Sequence, residues 1–427
     1  MKKTIFPLAL VLAWTSLADP ADPQVSQPTV NYAPGSTRVS VSYALDEDAV
    51  VTMDVLTNGV SIGGQNIGKV TGDCFKLVAA GSRSFVWHAR QSWPDHKIDE
   101  KIVTVKVTAW SKTHPPKFMV IDLTDGAVSY YQEKDFLPGG IASDVYKTTK
   151  LLMRKIPAGG VAWTMGAPGS EPGKNALKDY LGYWADDFHA VTLKKDFYLG
   201  VYEMTQGQME TLAGKAVGFH FKNEACHAMR PNDYTCLSDA LKYIKKISDR
   251  SGVAGLGLPS DIQWEFACRA GSATGLYTGK DLPYKDASAK TTYDADANLD
   301  QIARYGYDGG LTDASGNELT VDYNWTTEHG TAAVGSYAPN GFDLYDMLGN
   351  VWELTRTAWN ANGGLADPDD ESQTIEGDSL VIRGGSWREK AGFCRSATRT
   401  NWSTGDWPSW RSDQVGFRVY CPAVAEK

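Results

Sequence analysis

Side chains capable of covalent or metal chemistry are few and dispersed in this chain. Six cysteines stand at Cys74, Cys226, Cys236, Cys268, Cys394 and Cys421. None takes part in a CxxC or CxxxH spacing, so a structural zinc site, which gathers closely spaced sulfur and nitrogen ligands, is not expected. An even count of cysteines suits an oxidising compartment. The seven histidines form no HxH, HExxH or tight triad, which argues against a histidine-built zinc or iron centre. One aromatic run is unusual: Asn401-Trp402-Ser403-Thr404-Gly405-Asp406-Trp407-Pro408-Ser409-Trp410. Glycine, proline and aspartate between the indoles deny it a periodic buried face. It reads as a loop in which exposed indoles either pack or hold a sugar or peptide.

The elements that position these residues belong to a chain of 427 residues, long enough for two or three domains. Lys+Arg 42 against Asp+Glu 51 gives a net charge of −9. With no basic block, nucleic acid and anionic membrane are not expected partners. Gly 42 and Trp 14 are both high. They suggest a loop-rich fold in which glycines allow tight turns and indoles supply buried area. At the start, Lys2 and Lys3 precede an apolar stretch from Ile5 to Trp14, and Ser16-Leu17-Ala18 offers small residues for cleavage. This is the pattern of a bacterial signal peptide over 1–18, giving an exported, periplasmic or extracellular protein without a transmembrane segment.

From Pro28 to Trp110 the pattern has period two. Val39, Val41 and Tyr43 alternate with polar residues, as do Val51, Met53 and Val55, then Phe85 and Trp87, then Val103, Val105, Val107 and Ala109. Pro34-Gly35-Ser36 and Gly63-Gly64-Gln65-Asn66 mark turns. Short strands at this spacing predict an all-β sandwich of immunoglobulin-like type over 19–112. With Cys74 alone in it, it lacks an inter-sheet disulfide, and a spacer or docking role is expected. Residues 113–150 read as a connector with one strand over Phe118 to Leu123.

The remainder, 151–427, mixes short helices with irregular segments. Thr205-Gln206-Gly207-Gln208 and Ser260-Asp261-Ile262-Gln263 are capping boxes, in which a hydroxyl and an amide satisfy unpaired main-chain N–H groups. The second opens a helix carrying Trp264, Phe266 and Ala267 before Gly271. Ser238 is expected to cap a helix with Ala240, Leu241, Ile244 and Ile247 on one face, ending near Gly252.

Read in order, this part resembles the formylglycine-generating enzymes, or sulfatase-modifying factors. The matching segments are MGAPGSE from Met165, HAVTLKKDFYLGVYEMTQGQ from His189, LPSDIQWEFACRAG from Leu258, AAVGSYAPNGFDLYDMLGNVWELT from Ala332, IRGGSW from Ile382, CRSATR from Cys394 and VGFRVY from Val415. The resemblance implies an α+β fold, an irregular variant of the C-type lectin architecture, behind the sandwich. It also implies a structural calcium ion held by side chains of Asp346 and Glu353 and carbonyls of Gly349 and Val351. Calcium takes six to eight hard oxygens, and a glycine-containing loop between two acids can turn carbonyls inward. A second family calcium site begins at Asn298 and Leu299, but its later ligands have no clear counterpart around Thr326 to Gly330.

Formylglycine-generating members hold copper(I) between two cysteines after the Gly-Gly-Ser-aromatic block, because soft, low-coordinate copper(I) favours paired thiolates. Here Glu389 stands where the resemblance places the first, in Ser386-Trp387-Arg388-Glu389. Cys394 has two readings: the second copper ligand, or half of the family's structural disulfide with Cys268. The disulfide is the favoured reading, worth about 3–5 kcal/mol for so long a loop. Either way one thiolate remains, and copper is not expected. Candidate catalytic residues are Ser386 and Cys394. Trp387, Arg399, Trp402, Trp407 and Trp410 are the candidate lining of the substrate groove.

Three functions follow: a member without oxidase activity that binds a peptide, protein or glycan; a copper oxidase making formylglycine from a sulfatase cysteine; or another oxidoreductase of the superfamily.

Overall fold

The computed structural model describes residues 22–32, 38–94, 96, 98–99, 101–174, 188–215, 227–283, 296–306, 330–359, 379–403 and 411–424. The N-terminal region comprises β1 (Thr29–Tyr32), β2 (Val39–Leu45), β3 (Ala49–Thr57), β4 (Val60–Ser61), β5 (Val70–Gly72), β6 (Lys76–Val78), β7 (Gly81–Trp87), a short helix α1 (Ala89–Ser92) and β8 (Val103–Trp110). One antiparallel sheet runs β1-β2-β7-β5. In the other, β3 pairs with β8 along one edge and with β4 and β6 along the other. Val39, Val41, Tyr43, Val51, Met53, Val55, Phe85, Trp87, Val103, Val105 and Val107 are buried in one core between the sheets. The period-two alternation reads correctly for β2, β7 and β8, each of which gives one face to that core, while β3 buries residues on both faces. The turn at 33–37 lies outside the described residues.

Residues 113–150 do more than connect. They supply β9 (Phe118–Asp122) and β10 (Val128–Tyr131), which extend a five-stranded antiparallel sheet. Its order is β10-β9-β11-β14-β19, with β11 at Lys150–Ile156, β14 at Phe197–Gly200 and β19 at Tyr420–Pro422. The expected strand is there. Its pairing with β11 was not legible, since a strand's partner is set by tertiary packing. β12 (Ala162–Met165) and β13 (His189–Thr192) form a hairpin. A last sheet runs β17-β16-β15-β18, from β15 (Trp352–Ala358), β16 (Ser379–Arg383), β17 (Arg399–Ser403) and β18 (Val415–Gly416). In it β15 and β18 are parallel.

Among the described residues three further α-helices contribute to the frame: α2 (Gln206–Ala213), α3 (Leu237–Ser251) and α4 (Asp261–Arg269). Both capping boxes form, at Thr205 with Gln208 and at Ser260 with Gln263. The start of α3 differs from expectation. Cys236, not Ser238, is its N-cap, with its sulfur 3.2 Å from the Ser238 hydroxyl. Leu241 is 39% exposed, while Tyr243 joins Ala240, Ile244 and Ile247 in the buried face. The i, i+3, i+4, i+7 stripe runs 240, 243, 244, 247, and 241 falls beside it.

The N-terminal sheets pack directly on the C-terminal region. Tyr130 N donates to Phe75 O at 2.8 Å, and the rings of Phe75 and Tyr131 stack at 5.1 Å. Gly64 N donates to Asp135 at 3.0 Å. A Cβ on Gly64 would sit 2.4 Å from Phe136 Cα, so only glycine permits this approach. Among the described residues, no helix is long and apolar enough to cross a membrane.

Candidate functional site

The loop leading into β15 is tightly wound. Asp346, Gly349 and Asn350 have φ values of 55, 73 and 60°. A Cβ on Gly349 would stand 2.1 Å from Arg304 O, which fixes glycine there. Asn350 braces the turn: its amide donates to Glu203 at 2.6 Å and its side-chain oxygen accepts from Ala332 N at 2.9 Å. Val351 N donates to the other oxygen of Glu203 at 3.2 Å.

Three buried acids, Glu203, Asp346 and Glu353, meet here, each about 1% exposed. Glu353 accepts from Trp264 Nε1 at 2.7 Å and from Arg418, whose Nη2 lies 2.8 Å away. Arg418 also donates to carbonyls of Gly200, Val201 and Tyr345. Its guanidinium thereby ties β14 and β15 to the segment before β19. Asp346 accepts from Gly335 N at 2.6 Å through one oxygen. The other oxygen, Oδ1, is buried and has no hydrogen-bond partner. Burial pushes the Asp346 carboxyl up to about 6, and burial together with Asp346 and Glu353 holds Glu203 well above the usual carboxylate range. An unsatisfied buried carboxylate oxygen amid excess negative charge is the chemistry a hard cation relieves.

Of the residues expected to hold calcium, Asp346 fits that group. Its Oδ1 is open, while both oxygens of Glu353 already accept, Oε1 from Arg418 and Oε2 from Arg418 and Trp264 Nε1. Among the described residues no three His, Cys, Asp or Glu side chains gather as a metal site. Main-chain carbonyls of Gly349 and Val351 would have to complete the set. The second expected set is differently engaged. Asn298 N and Leu299 N donate to Asp296, and Leu299 O accepts from Ile302 N and Ala303 N. Residues 326–329 lie outside the described residues.

The block around Ser386 forms a second constellation. Ser386 donates to Gln414 at 3.1 Å, and Trp387 Nε1 donates to Asp413 O at 3.0 Å. Glu389 accepts from Trp352 Nε1 at 3.2 Å, and burial raises its pKa. Trp387 and Arg399, expected to line a groove, are instead buried, at 1% and 3% exposure. Arg399 pairs with Asp261 at 2.9 Å and lies over the Trp359 ring. It belongs to a buried lattice in which Arg383 binds Asp261 and Glu265, and Arg269 binds Glu265 at 2.8 Å. Trp402 is half-buried and packs on the main core, and Trp407 and Trp410 lie outside the described residues.

The expected Cys268–Cys394 disulfide is not formed: both residues are buried thiols. Ser396, two residues beyond Cys394, lies beside the Cys268 sulfur, whose pKa burial pushes up to about 12. The Cys394 sulfur packs on Gly385, where a Cβ would approach within 2.6 Å. The turn that seats Cys394 against Gly385 therefore gives Cys268 a hydroxyl for a neighbour. With Glu389 on Trp352 and one thiol at Cys394, the residues present do not fit a copper(I) dithiolate.

Sequence reasoning missed Glu203, Arg418 and Asn350. Their signal is a charged or amide residue inside an otherwise apolar run, as in Gly416-Phe417-Arg418-Val419-Tyr420, where burial demands a partner.

This fold and acid-lined loop match a defined class: the description "Sulfatase-modifying factor enzyme 1-like domain" fits residues 155–422, and the chain belongs to that family. It is 25% identical over 169 residues to the formylglycine-generating enzyme of Mus musculus, covering 39% of each chain. It is 26% identical over 234 residues to the "Chaperone protein LppX" of Paenibacillus barcinonensis, covering 46% of this chain and 71% of that one. Over 92 residues it is 35% identical to the "Inactive C-alpha-formylglycine-generating enzyme 2" of Bos taurus, 21% of this chain and 26% of the other. Among solved structures, PvdO from Pseudomonas aeruginosa aligns with a TM-score of 0.45 at 25% identity, covering 64% of this chain and 94% of its own. The chain thus spans only 39% of the mouse enzyme and 38% of that from Bos taurus.

Proposed function

We propose that this protein is an exported binding member of its family, without formylglycine oxidase activity, that holds a peptide or glycan ligand and carries a structural calcium ion. The observation that carries this reading is Glu389, a half-buried carboxylate that accepts from the Trp352 indole where an oxidase requires the first of two thiolates. Relatives named "inactive" and "chaperone" are in keeping with it. Export rests on Lys2, Lys3, the Ile5 to Trp14 stretch and Ala18. The sandwich acts as an immunoglobulin-like docking module, and the ligand surface is formed by the indoles of Trp402, Trp407 and Trp410.

The calcium ion is held by Asp346 and Glu353 with the carbonyls of Gly349 and Val351. It crosslinks a loop-rich region and takes no part in a reaction.

The test uses the full, reduced chain with copper(I) and a sulfatase-derived peptide carrying a Cys-x-Pro-x-Arg core, read by mass spectrometry. Unchanged peptide is expected; aldehyde in place of the thiol side chain would refute the reading. A glycan and peptide array supplies the positive arm, in which Trp407→Ala abolishes the signal given by the parent chain. Mass spectrometry of the exported protein should find its N-terminus directly after Ala18.

A further inference from the structure

Lys147 approaches the acid cluster from outside the family domain. Lys147 lies in 113–150, ahead of the matched span that begins at 155. Its main chain is stitched to α2: Thr205 Oγ1 donates to Lys147 O at 2.6 Å, Gln208 Nε2 to Tyr146 O at 3.0 Å, and Thr211 Oγ1 to Thr148 O at 3.1 Å. The side chain is only 13% exposed, and its ammonium sits over the Tyr202 ring at 5.5 Å. Its ion pair with Asp144 is 4.0 Å long, to a carboxylate 73% exposed, which is too weak to hold the charge in place.

Beside the Lys147 stem is Gly335. A Cβ there would meet Tyr202 at 2.7 Å and Lys147 Cε at 3.6 Å, and φ is +76°, so glycine is required where the lysine and the Tyr202 ring come together. Gly335 N itself holds Asp346 at 2.6 Å. Asp346 Oδ1 is buried without a partner, and Arg418 is the fixed cation on Glu353. With Arg418 engaged by Glu353, Asp346 has no ion pair of its own, and Lys147 is the cation that residues 113–150 bring toward it. Its field lowers the Asp346 pKa against the effect of burial.

We propose that Lys147 is a tethered counter-ion of the Asp346 cluster, set by the linker to compete electrostatically with a divalent cation. This rests on the calcium reading above. Lysine and calcium answer the same negative charge, and each weakens the other's hold because two cations in a poorly solvated site repel. The linker thereby tunes the affinity of the ion site.

The experiment is calorimetric titration of calcium chloride into the full chain stripped with chelator, for the parent, Lys147→Met and Lys147→Arg, with melting followed in parallel. Methionine keeps an apolar stem over Tyr202 while removing the charge. Lys147→Met is expected to bind calcium about 3- to 10-fold more tightly. In chelator it should melt below the parent, with the difference narrowing at saturating calcium. Lys147→Arg should behave as the parent. Equal affinities in the parent and Lys147→Met would overturn the role of Lys147 and leave the calcium reading intact. Binding by Lys147→Met alone would support it in its strongest form. Binding by neither would overturn both, and the melting curves, unmoved by calcium in every variant, would say so independently.

Discussion

Glu389 is a carboxylate held where burial disfavours its charge, and the Trp352 indole donates to it. Its pKa is raised in the folded chain, so the native state keeps a proton that the unfolded state releases. Its effect on stability is therefore neutral at low pH and increasingly unfavourable as pH climbs from the ordinary glutamate range, about 4.3, through the raised value. Glu389→Gln removes that titration. It should melt above the parent at neutral pH, with the two converging near pH 4, as measured by thermal denaturation across pH. Arg418 works the other way. It binds Glu353 and three carbonyls with no solvent access. Arg418→Met strands Glu353 and should cost about 3–5 kcal/mol in chemical denaturation. Of these two residues the sequence flagged Glu389, through its position in a motif, and missed Arg418. Nothing in a linear string says which acid a buried arginine will meet.

At the level of elements, the two capping boxes anchor the helices nearest the acid cluster and the arginine lattice. Ser260 starts α4, which carries Asp261, Glu265 and Arg269 into the lattice and Trp264 onto Glu353. Ser260→Ala should cost about 1 kcal/mol, read as a shift of the denaturation midpoint with an unchanged slope. These caps were readable because their chemistry is local, spanning four residues. The first turn of α3 was misread for a related reason. Ser238 is a better capping type than Cys236, yet packing of Tyr243, Ile244 and Ile247 sets where the helix must begin. Cys268 and Cys394 show the same limit. Both are near the right place in sequence, but the turn after Ser386 puts Ser396 beside Cys268 and Cys394 on Gly385. Thiol titration of the native chain should find both unreactive, and each should react once the chain is unfolded in denaturant without reductant.

In the whole molecule, the N-terminal sheets and the family domain share a packed boundary. Val50 belongs to the same buried core as Met119, Leu151 and Tyr198, with Leu77 and Trp110 against it. Gly64 lies on that boundary, and Gly64→Leu drives a side chain into Phe136. Calorimetry should then resolve a second, lower transition as the N-terminal sheets detach, where the parent melts as one unit. By itself the sequence determined the alternating N-terminal strands, the two capping boxes and the family, because periodicity, caps and ordered motifs are local signals. The tertiary structure alone decided that 113–150 joins the central sheet, that Trp387 and Arg399 are interior, and that Glu203, Asp346, Glu353, Arg418 and Lys147 share one charge balance. Those outcomes depend on contacts between residues distant in the chain, such as Asn350 with Glu203 at a separation of 147, whose geometry is set only when the whole core closes.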